Sequence, residues 1–410
     1  MPCPHGPFVI MRRAPNILYC ARRRCVTNAQ EEAFVIYLDN AATSFPKAPQ
    51  VAAAMSDALN QAGANPGRSG HRLSLCAGRI VWGCREQLAD FLGVEDPSRI
   101  VFCQNCTDAL NTAIHGFVQP GDHVVSTLLE HNSVLRPLSE LARMGVITLT
   151  LVRPGADGRV TPETALAAFT PRTRLMVLTH ASNVTGVVQD VRRIAGVCRR
   201  RNVTLLVDAA QSLGHVPVSP AALGADMLAF PGHKGLLGPH GTGGLYIREG
   251  LSVYPLRQGG TGSVSESMFQ PEDMPDRFES GTLNLPGIAG LAAGIRFVRQ
   301  HREEIEAHHR TLCARLLGGL RQIPGVRLYS PPGSLLAAFN VEGMASGEVA
   351  DALNADNVAV RGGLHCAPGA HQMLGTLETG AVRASPGPFN AERDVDLLLE
   401  SVERIAARRA

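Results

Sequence analysis

Only two of the 39 basic residues in this 410-residue chain are lysines, Lys47 and Lys234. Lysine can condense with a carbonyl compound and arginine cannot. Lys234 lies in the glycine-rich run Pro231-Gly-His-Lys-Gly235, which continues to Gly244. Glycines there let the backbone come close to a ligand. The run is not a phosphate-binding P-loop, because GxxxxGK[ST] is absent. Lys47 follows Pro46 and reads as a solvated lysine in a turn. Upstream of Lys234, Asp208 ends the apolar run Val203-Thr-Leu-Leu-Val207. A buried carboxylate there is costly unless a cation pairs with it. A protonated heterocyclic nitrogen is one such cation, and capping of a following helix is the plainer alternative.

Four further positions carry suitable groups. Thr107, in Cys106-Thr107-Asp108, opens a predicted helix, where free N–H groups and a hydroxyl can hold a phosphate; a simple helix cap is the other reading. His131, in Glu130-His131-Asn132, follows a predicted strand and either stacks on an aromatic ligand and moves protons or is structural. Cys366, in Arg361-Gly-Gly-Leu-His-Cys-Ala-Pro368, is flanked by loop residues and reads either as an exposed thiolate or as a small buried side chain. Arg383 can fork onto a carboxylate or pair with a nearby acid.

The elements that must position these groups alternate. Strands are predicted at Arg99–Cys103, Asp122–Ser126, Ile147–Val152, Leu175–Thr179, Val203–Val207, Met227–Phe230 and Gly244–Ile247. Helices are predicted between the earlier ones, at Asp108–Gly116, Ser133–Met144, Thr161–Phe169 and Val191–Arg201. Short apolar strands alternating with helices imply an α/β domain with a mainly parallel sheet, which binds ligands beyond the carboxyl ends of its strands. Further on, one long helical pattern covers Gly287–Leu320, followed by strands and helices of a smaller α+β unit. The expected division is 1–33 a disordered basic extension, 34–60 a segment packing on the small domain, 61–290 the large domain and 291–410 the small one.

Composition narrows the classes. Apolar residues make up 45 % and charged residues 18 %, as in a globular protein. No apolar run approaches the roughly 18 residues of a membrane span. The net charge of +3 equals that of residues 1–33, which hold five arginines against Glu31 and Glu32. The neutral remainder gives no support for nucleic-acid binding. Ten irregularly spaced cysteines are no disulfide framework and suit a reducing, cytoplasmic setting. The single CxxC, Cys103 to Cys106, has no second pair at metal spacing, so no metal site is expected. The Arg-rich start resembles a transit peptide or a mis-assigned start, with Met11 an internal candidate.

A lysine among glycines downstream of a strand-ending aspartate suits pyridoxal phosphate, with Lys234 forming the Schiff base and Asp208 holding the pyridine nitrogen. Together with Leu38-Asp-Asn-Ala-Ala-Thr43, Glu130-His131, Ser182-Asn183, Val207-Asp-Ala-Ala-Gln211, Gly232-His-Lys234, Phe278-Glu-Ser-Gly-Thr282 and Arg361…His-Cys-Ala367, the chain resembles the class V aminotransferase-like, fold-type I pyridoxal phosphate enzymes. Within them it resembles the group II (Suf-type) cysteine desulfurases. The resemblance implies a seven-stranded, mainly parallel sheet and a smaller C-terminal domain. It implies that Asn183 and Gln211 lie near the ring oxygen, that His131 stacks on the ring, and that Thr107 and His233 hold the phosphate. Thr282 would reach the phosphate of a second subunit in a homodimer. Arg383, with Arg361, would bind the carboxylate of L-cysteine, and Cys366 would take the sulfur as a persulfide for a sulfur-acceptor protein. Selenocysteine lyase and aminotransferase chemistry are the alternatives on the same cofactor, and a cofactor-holding scaffold is the non-enzymatic one. The chain departs from the family at Pro231, where Ser or Thr is usual, at Leu364, where histidine is frequent, at Cys106, and at Pro386 and Pro388.

Overall fold

A computed structural model of the chain describes residues 35–66 and 70–408. The expected N-terminal extension lies outside the described residues. In chain order come β1 (Ile36–Tyr37), α1 (Val51–Gln61), α2 (Arg72–Leu92), β2 (Ile100–Cys103), α3 (Cys106–Phe117), β3 (His123–Thr127), α4 (Asn132–Arg143), β4 (Thr148–Val152), α5 (Pro162–Ala167), β5 (Thr173–Thr179), α6 (Val191–Arg200), β6 (Thr204–Asp208), α7 (Pro220–Leu223), β7 (Met227–Pro231) and β8 (Gly243–Ile247). They build a seven-stranded sheet of order β2-β8-β7-β6-β5-β3-β4. All neighbours pair in parallel except β8, which is antiparallel to both β2 and β7.

The strands read as unbroken apolar runs because both faces of the sheet are covered. Side chains alternate between two cores. In β5, Met176 and Leu178 face one core, and Leu175 and Val177 face the other. In β6 and β7, Leu205, Val207, Leu228 and Phe230 join the first core, while Leu206, Met227 and Ala229 join the second. With its flanks fixed in this way, β6 delivers Asp208 at its carboxyl end, and Lys234 follows β7 by three residues.

The second half comprises α8 (Leu285–Gln300), α9 (Arg302–Gln322), β9 (Val326–Leu328), β10 (Ala337–Val341), α10 (Ser346–Ala355), β11 (Val358–Ala359), β12 (Arg361–Gly363), α11 (Pro368–Leu374), β13 (Ala381–Ala384) and α12 (Glu392–Ala407). The single helical pattern over 287–320 is therefore two helices. His301, at φ −117°, leaves the helical region between them. The break lets α8 and most of α9 serve different cores, although Ile305 at the start of α9 still joins the core of α8. Leu285, Ile288, Leu291 and Ile295 of α8 belong to the core of the large sheet. Leu312, Leu316 and Leu320 of α9 pack with Val395, Leu398 and Val402 of α12. These cover an antiparallel sheet of order β12-β13-β10-β9. Gly294 lets α8 lie directly on the backbone of Leu236, because a Cβ there would strike that carbonyl. The helix thus backs the loop that carries Lys234.

The N-terminal segment ties the parts together. β1 pairs in parallel with β11, and Asp39 bridges to Ser385. Ser44 then donates its N–H to the carbonyl of His233 at 3.1 Å. Among the described residues, no helix is long and apolar enough to cross a membrane.

Candidate active site

Asp208 is 3 % exposed. Its Oδ1 accepts the Ala210 N–H at 2.8 Å and the Cys106 thiol at 3.5 Å. No cation pairs with it among the described residues, although a buried carboxylate calls for one. Lys234 is half-buried, and its Nζ makes no hydrogen bond or ion pair among the described residues. Burial holds the lysine below its ordinary pKa, with Asp208 opposing. Burial likewise pushes the Cys106 thiol up, and Asp208 pushes it further, so the thiol stays a donor.

A hydroxyl chain runs beside this pair. Asn105 caps α3 through the N–H of Asp108, leaving Thr107 free of that task. Thr107 Oγ1 meets Ser133 Oγ at 2.7 Å, and Ser133 Oγ meets His131 Nδ1 at 2.8 Å. His131 also caps α4 by accepting the Ser133 N–H. Burial lowers its pKa, with Asp208 opposing. His233 Nδ1 contacts Thr43 Oγ1 at 3.1 Å, and its ring stacks on His240. Burial, with Lys234 adding to it, pushes the His233 pKa down to about 3 and keeps the ring neutral. Gln211 donates to the carbonyl of Ala41 at 2.9 Å, and Asn183 donates to that of His365 at 2.6 Å.

The second half of the site comes from the small sheet. Cys366 is exposed, in the loop between β12 and α11. It and His365 both adopt left-handed backbone conformations, at φ 56° and 49°. Such a pair of non-glycine residues is strained and persists only where neighbours hold it. The Cys366 carbonyl accepts the N–H of Asn132, next to His131, at 2.7 Å. Arg383, 3 % exposed, donates to the carbonyl of Asn183 at 3.0 Å and to Asp39 Oδ1 at 3.1 Å, while Arg361 reaches Asp39 Oδ2 at 3.1 Å. Nε of Arg383 is buried and has no partner among the described residues.

Thr282 stands apart. It is exposed beside Gln104 and Arg257 on a cavity of about 210 Å³. The loop before it is anchored by Glu279, which accepts a two-point bond from Arg85 at 2.9 and 2.8 Å and the N–H of Phe102 at 2.7 Å.

Two residues were missed from sequence. Asp39 lies within the Leu38–Thr43 motif but had no assigned role; its partners are two arginines more than 300 positions away. Lys47 is not a solvated turn lysine. It is half-buried and donates to Thr43 Oγ1 at 3.2 Å, Ser44 Oγ at 3.0 Å and the carbonyl of His233 at 2.8 Å.

These features fit pyridoxal phosphate. Among the described residues, Asp208 is a buried carboxylate without a paired cation and Lys234 is an amine with a depressed pKa and no hydrogen-bond partner, and hydroxyls stand at a helix N-terminus beside them. A mainly parallel seven-stranded sheet with this lysine and aspartate at its carboxyl edge defines a fold-type I pyridoxal phosphate protein.

Residues 36–398 match the family model described as aminotransferase class-V, and the chain belongs to that family. A protein of Methanothermobacter thermautotrophicus named probable cysteine desulfurase is 38 % identical, over 90 % of this chain and 94 % of that one. The cysteine desulfurase of Haloferax volcanii is 30 % identical, over 90 % of this chain and 89 % of that one. The apo structure of a cysteine desulfurase from Thermococcus onnurineus superposes with a TM-score of 0.86 at 34 % identity, covering 91 % of this chain and 95 % of that one.

Proposed function

We infer that this chain is a pyridoxal phosphate-dependent cysteine desulfurase, which takes sulfur from L-cysteine onto Cys366 and releases L-alanine. The observation that carries the reading is the exposed thiol of Cys366. It sits on a strained turn whose carbonyl accepts the N–H of Asn132, the residue after His131, which supports a position facing the Lys234 and Asp208 site. Aminotransfer needs no such thiol.

In this reading Lys234 holds the cofactor covalently, Asp208 sits against its ring nitrogen, His131 covers the ring, Gln211 and Asn183 lie near its ring oxygen, and Thr107 and His233 hold its phosphate. Bound there, pyridoxal phosphate supplies an electron sink that weakens bonds to the carbons of the amino acid. Arg383, already fixed by Asp39 and Asn183, takes the substrate carboxylate, with Arg361 at its side. His131 and Lys234 are the groups placed to move protons. The Cys366 thiolate forms a bond to the substrate sulfur as the Cβ–S bond breaks, which leaves a persulfide on the enzyme and alanine to depart.

The Suf-type placement belongs to this proposal and rests on the Arg361-to-Ala367 motif. So do a homodimer in which Thr282 serves the second subunit, a protein acceptor for the sulfur, and work in the cytoplasm. The division into a large cofactor-binding part and a smaller C-terminal part is supported by the separate cores. The test is anaerobic incubation with L-cysteine and a thiol reductant, with Cys366→Ala in parallel. Alanine that depends on Cys366 is expected. Equal alanine from the variant would refute sulfur transfer to Cys366, and a large kcat/KM advantage for selenocysteine would make the chain a lyase for that substrate instead.

A further inference from the structure

Asp208 is held on one of its two oxygens only. Its Oδ1 accepts the Ala210 N–H at 2.8 Å and the Cys106 thiol at 3.5 Å, while Oδ2 makes no hydrogen bond among the described residues. The two donors come from different elements. Ala210 lies in the turn that follows β6, so its bond is local. Cys106 is the first residue of α3, 102 positions away from Asp208. The last torsion of an aspartate is broad, and one local bond leaves the carboxylate free to swing. A second donor from a separate element fixes its plane.

The helix that supplies this donor is itself fixed. Asn105 caps it, and Ala109, Leu110 and Ala113 pack in the core that also takes Leu206 of β6 and Ala229 of β7. Cys106 belongs to the same core and is 9 % exposed. Burial, with Asp208 adding to it, keeps the thiol protonated. A thiol is also a weak donor. It orients the carboxylate while leaving most of the negative charge for a cation. The next residue, Thr107, carries the hydroxyl placed for the cofactor phosphate, so one turn of α3 meets both ends of the cofactor site.

We propose that Cys106 is a positioning residue for Asp208. Its thiol locks Oδ1, leaves Oδ2 for the ring nitrogen of pyridoxal phosphate, and sets the carboxylate in a fixed relation to Thr107.

The bond and its effect on cofactor retention stand apart from the desulfurase reading; only the effect on turnover rests on it. The S–H stretch absorbs in a part of the infrared spectrum that is free of other protein bands. In full-length protein without cofactor, the difference between the native and Cys106→Ser spectra isolates the Cys106 band. The same difference taken in an Asp208→Asn background should place that band at higher frequency, because an amide oxygen is a weaker acceptor than a carboxylate. In holoenzyme, Cys106→Ala and Cys106→Val should each release pyridoxal phosphate about fivefold faster, as for one lost buried hydrogen bond. These variants bracket the thiol in size, so a change shared by both reports the donor and not the packing. Cys106→Ser keeps a donor and should return release to within about twofold of native. The kcat for alanine should fall in Cys106→Ala and Cys106→Val and recover in Cys106→Ser. A band unmoved by Asp208→Asn overturns the bond. Native release rates in both donor-free variants, or fast release that Cys106→Ser fails to restore, overturn the positioning role. Native enzyme that makes no alanine while band and release respond as expected would sink the desulfurase reading and leave the assignment of Cys106 standing.

Discussion

The two halves of the site are held by different means. Asp208 ends a strand buried on both faces and Lys234 follows another such strand by three residues, so packing that extends far beyond the site fixes the elements that carry them. Cys366 stands on a two-residue left-handed turn held by a few hydrogen bonds to side chains and loop backbone. A group that must keep one relation to a cofactor suits the first arrangement. A thiol that must reach a substrate, and in our reading afterwards yield its sulfur, suits the second, because a turn held by a few bonds can move without disturbing a core. Changes in the first half should therefore alter cofactor retention, and changes in the second should alter sulfur transfer with the cofactor in place.

The strongest break of that contrast is Asp208→Asn against Cys366→Ala. Loss of the charge at Asp208 should weaken cofactor retention and lower alanine production by roughly a hundredfold or more, as for a directly contacting charged group in a buried site. Cys366→Ala should abolish persulfide while cofactor absorbance remains that of the native protein. Measuring absorbance and alanine on both variants checks this. An Asp208→Asn protein with full cofactor and full activity would overturn the assignment of the first half.

Glu130 sharpens the comparison through stability. It is fully buried, and its Oε1 accepts the Thr127 hydroxyl at 2.6 Å and the Thr179 N–H at 3.0 Å, while Oε2 has no partner among the described residues. Burial pushes its pKa up to about 8 from 4.5. Between those values the folded state keeps a proton that the unfolded state has lost, so stability falls as pH rises from 4.5 toward 8. Glu130→Gln mimics the protonated form. It should be as stable as the native protein near pH 4.5 and more stable at pH 7, by on the order of 3 kcal/mol. Denaturant titrations across this range test it, and parallel curves would refute it.

Much of the first half was legible in the sequence. A lysine in a chain that almost avoids lysine, and an aspartate ending an apolar strand, declare themselves by local context, and the strand alternation gave their common edge. The second half was less so. Arg383 looked as much like a surface arginine as a ligand, because its partners Asp39 and Asn183 come from distant segments. The break at His301 was hidden because the apolar residues of the two helices read as one helical pattern; the different cores served by α8 and most of α9 reveal it. Within the first half, the bond from Cys106 to Asp208 was hidden too, because it joins residues 102 positions apart.

Asp39 braces the second half, since its carboxylate is shared by Arg361 and Arg383. Asp39→Asn should leave the cofactor in place and raise KM for L-cysteine about tenfold, the cost of loosening one charge-assisted contact. An unchanged KM would show that Arg383 is oriented sufficiently by the carbonyl of Asn183.

Lys47 should have the smallest effect of these, and it probes the strap that joins the N-terminal segment to the Lys234 loop. Its three hydrogen bonds converge on Thr43, Ser44 and the carbonyl of His233. Burial lowers its pKa from 10.5 to about 8. Between these values the unfolded chain binds more protons than the folded one, so the contribution of this lysine to stability increases as pH rises from 8 toward 10.5. Lys47→Met keeps the stem and removes the donors. Stability at pH 7 should fall by about 1 kcal/mol, the net worth of one hydrogen bond rather than three, because the methionine no longer has to desolvate an ammonium. The gap to the native protein should widen above pH 8. Cofactor retention should weaken slightly, because the carbonyl of His233 is one residue from Lys234. A variant whose stability gap is the same at pH 7 and pH 10 would show that the Lys47 ammonium is as well solvated in the folded chain as in the unfolded one.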